Sequence, residues 1–405
     1  MNLFVVPSWY PHRCYPLEGI FLMDQAVAVG DLHPDWSVAV SLWGQGTGRL
    51  SLAHLRHSPH CLWDALSSRP RESELRPNVR EFLTPALSWT ERWRGGNRDA
   101  ILAANLRNLR RATQRFGPVD LIHAHVSYPG GWVAMELQRR TGIPYVVTEH
   151  MGPFPLPVYE RPGESLWSHI RLPLERAGER IAVSPALCER IAGFGIAKPK
   201  YVPNVVDERT YAPTPTPQCP VFGFFTLCQM EAIKGIPDLL RSIRAVVDEM
   251  TEAERAGVAW RLGGSGSQGS AFRRLSTELG LDRWVTWLGF VPRERAREEF
   301  RACRCLVLAS HHESFGMVLV EAAAFGKPVI ATRSGGPETT VTETSGVLVA
   351  PGRPEELAQA MLEIFRGRRV FDAGAIRAQF LSRYSRAAVV GQLEAIYDDV
   401  LARAR

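Results

Sequence analysis

Two periodicities share this chain. Short, almost wholly apolar runs recur in the first half at Leu3–Pro7, Trp36–Trp43, Asp120–His125, Pro144–Thr148 and Arg180–Ser184. Between them, Gly19–Gly30 and Gly130–Arg140 space apolar residues three and four positions apart. Continuous apolar runs are what strands buried on both faces require, and the second spacing is that of a helix with one buried face. The alternation resumes in the second half. Strands are predicted at Val221–Thr226, Val258–Leu262, Trp284–Leu288, Leu306–Leu308, Pro328–Ala331 and Gly346–Val349. Helices are predicted at Pro237–Glu249, Phe272–Leu279, Glu294–Ala302, Gly316–Phe325 and from Pro354 onward. Alternating strands and helices with buried strands imply a parallel sheet, so the fold class is α/β, with two Rossmann-like doubly wound domains. Residues 45–98 break the rhythm and read as an insertion or a mobile loop region. Residues 211–220 carry four prolines and read as a stiff, extended linker.

Length supports the division, because 405 residues exceed one ordinary core. Apolar residues make up 45% and charged residues 22%, an ordinary globular balance. No run of about 18 apolar residues occurs, so no transmembrane helix is expected. Met1–Pro7 reads as a first strand rather than a signal peptide. The seven cysteines are odd in number and form no C-x-x-C pair, which reads as free thiols and a cytoplasmic setting. Net charge is +6, and residues 1–200 hold 23 Lys+Arg against 18 Asp+Glu. Between Arg69 and Arg115 stand eleven Arg and five acids, with Trp89 and Trp93 among them. Arg with Trp suits a peripheral contact at the inner membrane face, or an anionic acceptor. The same residues also read as a solvated, Arg-biased surface. No aromatic–basic RNA motif accompanies the charge, so nucleic acid is not an expected partner.

Two stretches carry candidate chemistry. Gly264-Ser-Gly266-Ser-Gln-Gly269 is a literal G-x-G-x-x-G between a strand and a helix. It lies mid-chain, and no convincing acid follows about 20 residues on, so a dinucleotide site is not expected. The glycine turn still permits backbone approach to a nucleotide or phosphate. The second stretch is His311–Glu321, HHESFGMVLVE. Glu313 falls on a loop before a helix opening at Gly316, and Glu321 lies more than a turn inside that helix. The N–H groups of Phe315, Gly316, Met317 and Val318 offer an anion seat, and carboxylates accept paired hydrogen bonds from sugar hydroxyls. The spacing reads equally as one helix-terminal charge and one helical glutamate. His123 and His125 alternate on a strand, and only His125 is expected to face a site. A metal site is not expected at His311-His312 or Cys303-x-Cys305, since neither has zinc-like ligand spacing.

His311–Glu321 resembles the E-x7-E signature of the family-4 retaining glycosyltransferases, which have the GT-B fold. The resemblance continues through GFFTLCQMEAIKG (223–235), RLGGSGS (261–267), WLGFVP (287–292) and GKPVIATRSGGPET (326–339). It extends to VVPSWYPHRCYPLEGIF (5–21), DLIHAH, VVTEHMG, VSPALCERI and VPNVVD (202–207), covering nearly the whole chain. It implies an acceptor-binding domain over 1–207 and a nucleotide-sugar-binding domain over 208–385, facing across a cleft. The last helix, about 386–405, is then expected to return to the N-terminal domain.

Roles carry over by position. Glu313, His150 and Lys234 become the catalytic candidates. Glu313 would hold a hydroxyl of the transferred sugar, His150 would touch that sugar, and Lys234 would neutralise the pyrophosphate. Glu321 would hold ribose hydroxyls. Gly19 and Gly264 would let backbone approach the donor, Phe290 or Val291 would meet the base, and Phe315, Gly316 and Met317 would contact phosphate or sugar. His125 and Ser184 are weaker candidates. Similar proteins carry an Arg shortly before the lysine. Here Cys228-Gln229 stands instead, and Gln229 donates a hydrogen bond without charge. Arg13 or Arg333 would have to substitute.

The resemblance implies transfer of a hexose-type sugar from a nucleotide-diphosphate sugar, UDP-sugar favoured and GDP-sugar allowed, to an acceptor hydroxyl with retention. No D-x-D motif appears, and no metal or further cofactor is expected. Cell-envelope or exopolysaccharide synthesis is the first context. Transfer to an aminocyclitol or antibiotic core, and a non-catalytic nucleotide-sugar binding partner, are the alternatives.

Overall fold

The computed structural model describes residues 1–13, 15–45, 49–50, 69–89, 94–159, 166–213 and 221–405. Trp93, Cys14, Cys61, Cys219 and residues 214–220 of the proline-rich linker lie outside the described residues. The chain divides into two compact units. The first comprises Met1–Val183, Leu187–Val205 and Arg386–Arg405, and the second Ser184–Ala186 and Val206–Ser385.

The first unit runs β1 (Asn2–Pro7), α1 (Ile20–Leu32), β2 (Ser37–Leu42), β3 (Arg49–Leu50), β4 (Arg71–Arg76), β5 (Val79–Leu83) and β6 (Ser88–Trp89). It continues with α2 (Arg98–Phe116), β7 (Leu121–His125), α3 (Trp132–Thr141), β8 (Tyr145–Glu149), α4 (Ser168–Arg176), β9 (Glu179–Ala182), α5 (Pro185–Ala192) and β10 (Lys200–Tyr201). Its main sheet has the order β10-β9-β8-β7-β1-β2-β5-β4. Every pair is parallel except the edge pair β4–β5. Strands β7 and β8 are buried at every residue, as apolar runs covered on both faces must be. Strand order reverses direction between β1 and β7, the place where doubly wound sheets open a crevice at their carboxyl ends.

Two features depart from the sequence reading. Part of the 45–98 stretch is not a loop: β4 and β5 form a hairpin that extends the sheet from β2. Strand β4 reads RESELR, an edge strand of alternating charge with no apolar run to announce it. Its acids hold Arg80 of β5, with Glu72 at 2.9 Å and Glu74 also bonded to it. Helix α2 was not anticipated either. Its buried face carries Asn105 and Asn108, which blur the apolar period. Both are satisfied in the core: Ser41 Oγ donates to Asn105 Oδ1 at 2.6 Å, and Asn108 Nδ2 donates to the Leu42 carbonyl at 2.8 Å.

The second unit runs β11 (Phe222–Leu227), α6 (Ile236–Glu249), α7 (Glu252–Ala256), β12 (Val258–Gly263), α8 (Gly269–Glu278), β13 (Val285–Gly289) and α9 (Arg293–Ala302). Then follow β14 (Cys305–Leu308), α10 (Met317–Ala324), β15 (Val329–Thr332), α11 (Pro337–Thr340), β16 (Gly346–Val349), α12 (Pro354–Phe365) and α13 (Ala373–Tyr384). The sheet is wholly parallel in the order β13-β12-β11-β14-β15-β16, with its reversal point between β11 and β14.

The final helix, α14 (Arg386–Ala404), belongs to the first unit. Its stripe of Val389, Val390, Leu393, Ile396, Tyr397 and Val400 joins the core formed by β1, β2, α1 and β7. Full burial of an aliphatic side chain of this size stabilises by about 1.5–3 kcal/mol, so the stripe holds the helix firmly.

Candidate active site

In the second unit the candidate residues gather on loops at the carboxyl ends of β11, β12, β13 and β14. Lys234 follows β11 and Glu313 follows β14, the two strands that flank the reversal point. Lys234 Nζ donates to Glu313 Oε1 at 2.6 Å, and Ser310 Oγ donates to the same oxygen at 2.9 Å. The Glu313 backbone is held as well: its N–H donates to the Ser334 carbonyl at 2.9 Å, and its own carbonyl accepts from Gly336 N–H at 2.7 Å. The carboxylate therefore stands on a fixed loop, half-buried beside one cation.

Gly316 then turns the chain at φ 85° and opens α10. The N–H groups of the first helical turn have no intrahelical acceptor. Phe315 and Gly316 are buried, while Met317 and Val318 are half-buried. Glu321, in the second turn, accepts from the Tyr211 hydroxyl at 2.8 Å. Arg293 Nε donates to that hydroxyl oxygen at 3.3 Å, and its guanidinium lies 5.6 Å from the Tyr211 ring centre. Burial, then the Glu321 charge, push the Tyr211 phenol upward, so it stays a donor. Arg377 anchors the Tyr211 backbone, donating to the carbonyls of Tyr211 at 2.5 Å, Glu208 at 2.8 Å and Ala324. Tyr211 and Arg293 were not singled out in the sequence. Tyr211 opens the proline-rich stretch and reads as linker there, yet it is fully buried.

The glycine turn after β12 has a reason within the fold. A Cβ on Gly264, at φ 135°, would meet the Cys228 carbonyl oxygen at 1.8 Å. Gly264 N–H donates to the Gly289 carbonyl at 2.7 Å, tying this turn to the loop that carries Phe290 and Val291. Val291 is buried and Phe290 is 51% exposed. Glu231 locks the turn from the other side, accepting from Ser267 N–H at 2.6 Å and Oγ at 2.7 Å. Gln229 is exposed on the loop after β11. Burial pushes the neighbouring Cys228 thiol up to about 12, with Lys234 opposing. Arg333 is exposed directly after β15.

The first unit presents a second set at its own reversal point. Gly19, at φ 64°, opens α1. A Cβ there would meet the Trp9 carbonyl carbon and oxygen at 2.6 Å. His150 follows β8, and its Nε2 lies 3.1 Å from His125 Nδ1. His150 Nδ1 is buried and has no hydrogen-bond partner. Glu149 fixes the backbone beneath it, accepting from the N–H groups of Ser127 at 2.9 Å, His150 at 2.8 Å and Met151 at 2.9 Å. Burial raises the Glu149 carboxyl, and these donors oppose the rise.

The expectation that only one of His123 and His125 faces a given side is corrected. Residues two apart on a strand share a face, and the two rings lie 4.2 Å apart. His123 Nδ1 lies 2.6 Å from the Tyr397 hydroxyl of α14, and its Nε2 lies 2.8 Å from Thr148 Oγ1. Burial lowers His123 and His150 to about 3, and burial also lowers His125, aided by both neighbours. All three rings are neutral donors and acceptors near pH 7. Among the described residues, no three His, Cys, Asp or Glu side chains gather as a metal site, and no helix is long and apolar enough to cross a membrane.

A family model described as Glycosyltransferase Family 4 matches residues 49–210, and one described as Glycosyl transferases group 1 matches residues 220–366. A D-inositol 3-phosphate glycosyltransferase of Corynebacterium kroppenstedtii is 33% identical over 180 residues, 43% of this chain and 39% of that one. Its namesake from Frankia alni is 30% identical over 280 residues, 62% of this chain and 66% of that one. The chain thus matches under two thirds of the length of each. Sucrose-phosphate synthase from Thermosynechococcus elongatus shares the fold with a TM-score of 0.74 at 18% identity, covering 99% of both chains. Anabaena HepE in complex with UDP does so with a TM-score of 0.68 at 19% identity, covering 98% of this chain and 99% of that one.

Proposed function

We propose, from the premise that this chain belongs to the family-4 glycosyltransferases, that it moves a hexose-type sugar from a nucleoside-diphosphate sugar to an acceptor hydroxyl with retention. Its two parallel-sheet α/β units are the GT-B fold, as the sequence resemblance implied. The observation that carries the proposal is the placement of Lys234, Glu313 and Glu321 about the reversal point of the second sheet.

In this reading Glu321, oriented by Tyr211, takes the ribose diol. The diphosphate lies at the start of α10, where the helix dipole and the N–H groups of Phe315, Gly316 and Met317 favour negative charge. Without donor, Lys234 is neutralised by Glu313. An arriving diphosphate draws Lys234 away and leaves Glu313 free to accept a hydroxyl of the transferred sugar. Gln229, uncharged, leaves Lys234 as the cation of that loop. The Gly289 turn presents Phe290 and Val291 to the base. In the first unit, His150 is the neutral group offered to the sugar or acceptor oxygen, and Gly19 keeps the turn beside it open. No carboxylate nucleophile is assigned. Displacement on the same face, with the leaving phosphate oxygen receiving the acceptor proton, needs orientation and charge stabilisation from the protein. UDP is the favoured nucleotide, supported by the UDP complex of HepE. A cyclitol or its phosphate is a specific acceptor candidate, favoured by the names of the relatives.

Calorimetry and thermal shift with UDP, GDP, ADP and TDP, each with and without magnesium, test the donor. Strong stabilisation by one diphosphate supports the site, and no response to any refutes it. Glu313→Ala should keep nucleotide affinity and abolish transfer, so surviving turnover would remove the role given to Glu313.

A further inference from the structure

The second unit holds a concavity of about 490 Å³ that Lys234, Glu313 and Glu321 do not line. It lies at the amino-terminal edge of the sheet, since Phe222 opens β11, Arg304 precedes β14 and Pro328 precedes β15. Lys234 and Glu313 stand at the carboxyl edge. Phe222 and Phe365 form an aromatic wall, and Arg301, Arg304 and Lys327 contribute cations. Val370 stands at the rim, 84% exposed. Among the described residues, no Asp or Glu lines the concavity. The lining residue Arg369 is already paired with Glu363 at 2.6 Å.

Helix ends explain one of these cations. Helices α9, α10 and α12 all finish here, and their carbonyl ends attract positive charge. Lys327 serves that purpose, donating to the Arg301 carbonyl at 2.8 Å. The two arginines are placed differently. The Arg301 guanidinium lies 5.3 Å from the Phe325 ring centre, and its buried Nε has no hydrogen-bond partner. The Arg304 guanidinium lies 5.5 Å from the Phe222 ring centre. Seated over aromatic rings, both guanidinium groups keep edge donors for a ligand. Burial lowers the Lys327 ammonium, and the nearby Arg304 charge adds to the effect. The helix ends offset part of the repulsion among these cations, and an incoming anion offsets the remainder.

We infer that this concavity binds a phosphate-bearing anion, its phosphate on Arg301, Arg304 and Lys327 and its body against the Phe222–Phe365 wall. Arginine forks match phosphate oxygens two at a time, which favours phosphate over a simple halide. The phosphate can come from a soluble ester or from an acidic lipid headgroup. In the lipid case Val370 meets the membrane surface.

The test uses the full chain carrying Lys234→Ala, so that the donor loop does not compete. Inorganic pyrophosphate is titrated by calorimetry, and vesicles of phosphatidylcholine with and without phosphatidylglycerol are used in flotation. Both are repeated with Arg301→Gln/Arg304→Gln added. At about one fivefold factor per arginine, binding should weaken roughly 25-fold. If the double change prevents folding, Arg304→Glu alone replaces it, since Arg304 is exposed. Pyrophosphate binding lost in the variant supports the site with a soluble source. Flotation that needs phosphatidylglycerol and is lost in the variant supports it with a lipid source. Binding of either probe that the arginine changes leave at full strength, or no binding of either, overturns the proposal. Nucleotide affinity of the otherwise unaltered chain is a separate readout of the transferase reading.

Discussion

Replacing Tyr211 by Phe removes one oxygen and keeps the ring. That oxygen donates to Glu321 at 2.8 Å and accepts from Arg293 at 3.3 Å. The ring contact with Phe325 at 5.8 Å and the position of Arg293 over the ring do not depend on it. A hydrogen bond to a charged group is worth about 1.5–3 kcal/mol when its loss leaves the charge unsatisfied. Glu321 is half-buried, so water replaces part of that loss. About 1–1.4 kcal/mol of donor affinity should remain missing, a five- to tenfold rise in donor KM. On the proposed mechanism the chemical step does not involve this oxygen, so kcat should stay within about twofold, as expected for lost uniform binding. Initial rates against donor concentration separate the two constants, and a thermal melt checks the fold. Tyr211→Leu is the control, because it removes the ring and should lower the melting temperature as well. A fall in kcat with KM unchanged, or no change in either constant, would refute the idea that Tyr211 orients Glu321.

Gly264→Ala should destabilise by roughly 2 kcal/mol or more, because its Cβ meets the Cys228 carbonyl oxygen at 1.8 Å; urea melts measure the loss. Glu299→Gln breaks a bidentate pair with Arg261, at 2.6 and 2.7 Å, and a bond to Arg295 at 3.0 Å. Since Arg261 is partly exposed, the cost should be about 1–3 kcal/mol in urea denaturation, with transfer kinetics unchanged. The histidine cluster makes stability depend on acid. His123, His125 and His150 have folded values below the unfolded value, so their contribution is complete above about pH 6.5 and declines as pH falls toward 3. Each should add a slope approaching 1.4 kcal/mol per pH unit in that window. Urea melts between pH 7 and 5 measure it, and a flat profile would contradict the burial of the cluster.

Much of this fold is legible in the sequence because its strands are covered on both faces. Runs such as FGFFTL and LIHAH announce themselves without help from neighbours. Strand β4 does not, because a sheet edge of Arg and Glu has nothing apolar to show. Helix α2 hides for the opposite reason: its core face spends Asn105 and Asn108 on hydrogen bonds instead of aliphatic packing. Lys234, Glu313 and Glu321 are readable as a set through the family resemblance. Their immediate partners are not, because Tyr211 is 110 positions from Glu321 and Lys234 is 79 from Glu313. Contacts across such separations carry no periodicity.

The late placement of α14 reverses the usual order of assembly. Synthesis delivers the first sheet early, yet the stripe from Val389 to Val400 that completes its core is made after the whole second unit. Domains tend to fold as units while the chain emerges. The second unit is therefore free to fold first, while the earlier-made half waits with an uncovered apolar face. A stop codon introduced at residue 386 would leave the later-made unit whole and harm the earlier-made one.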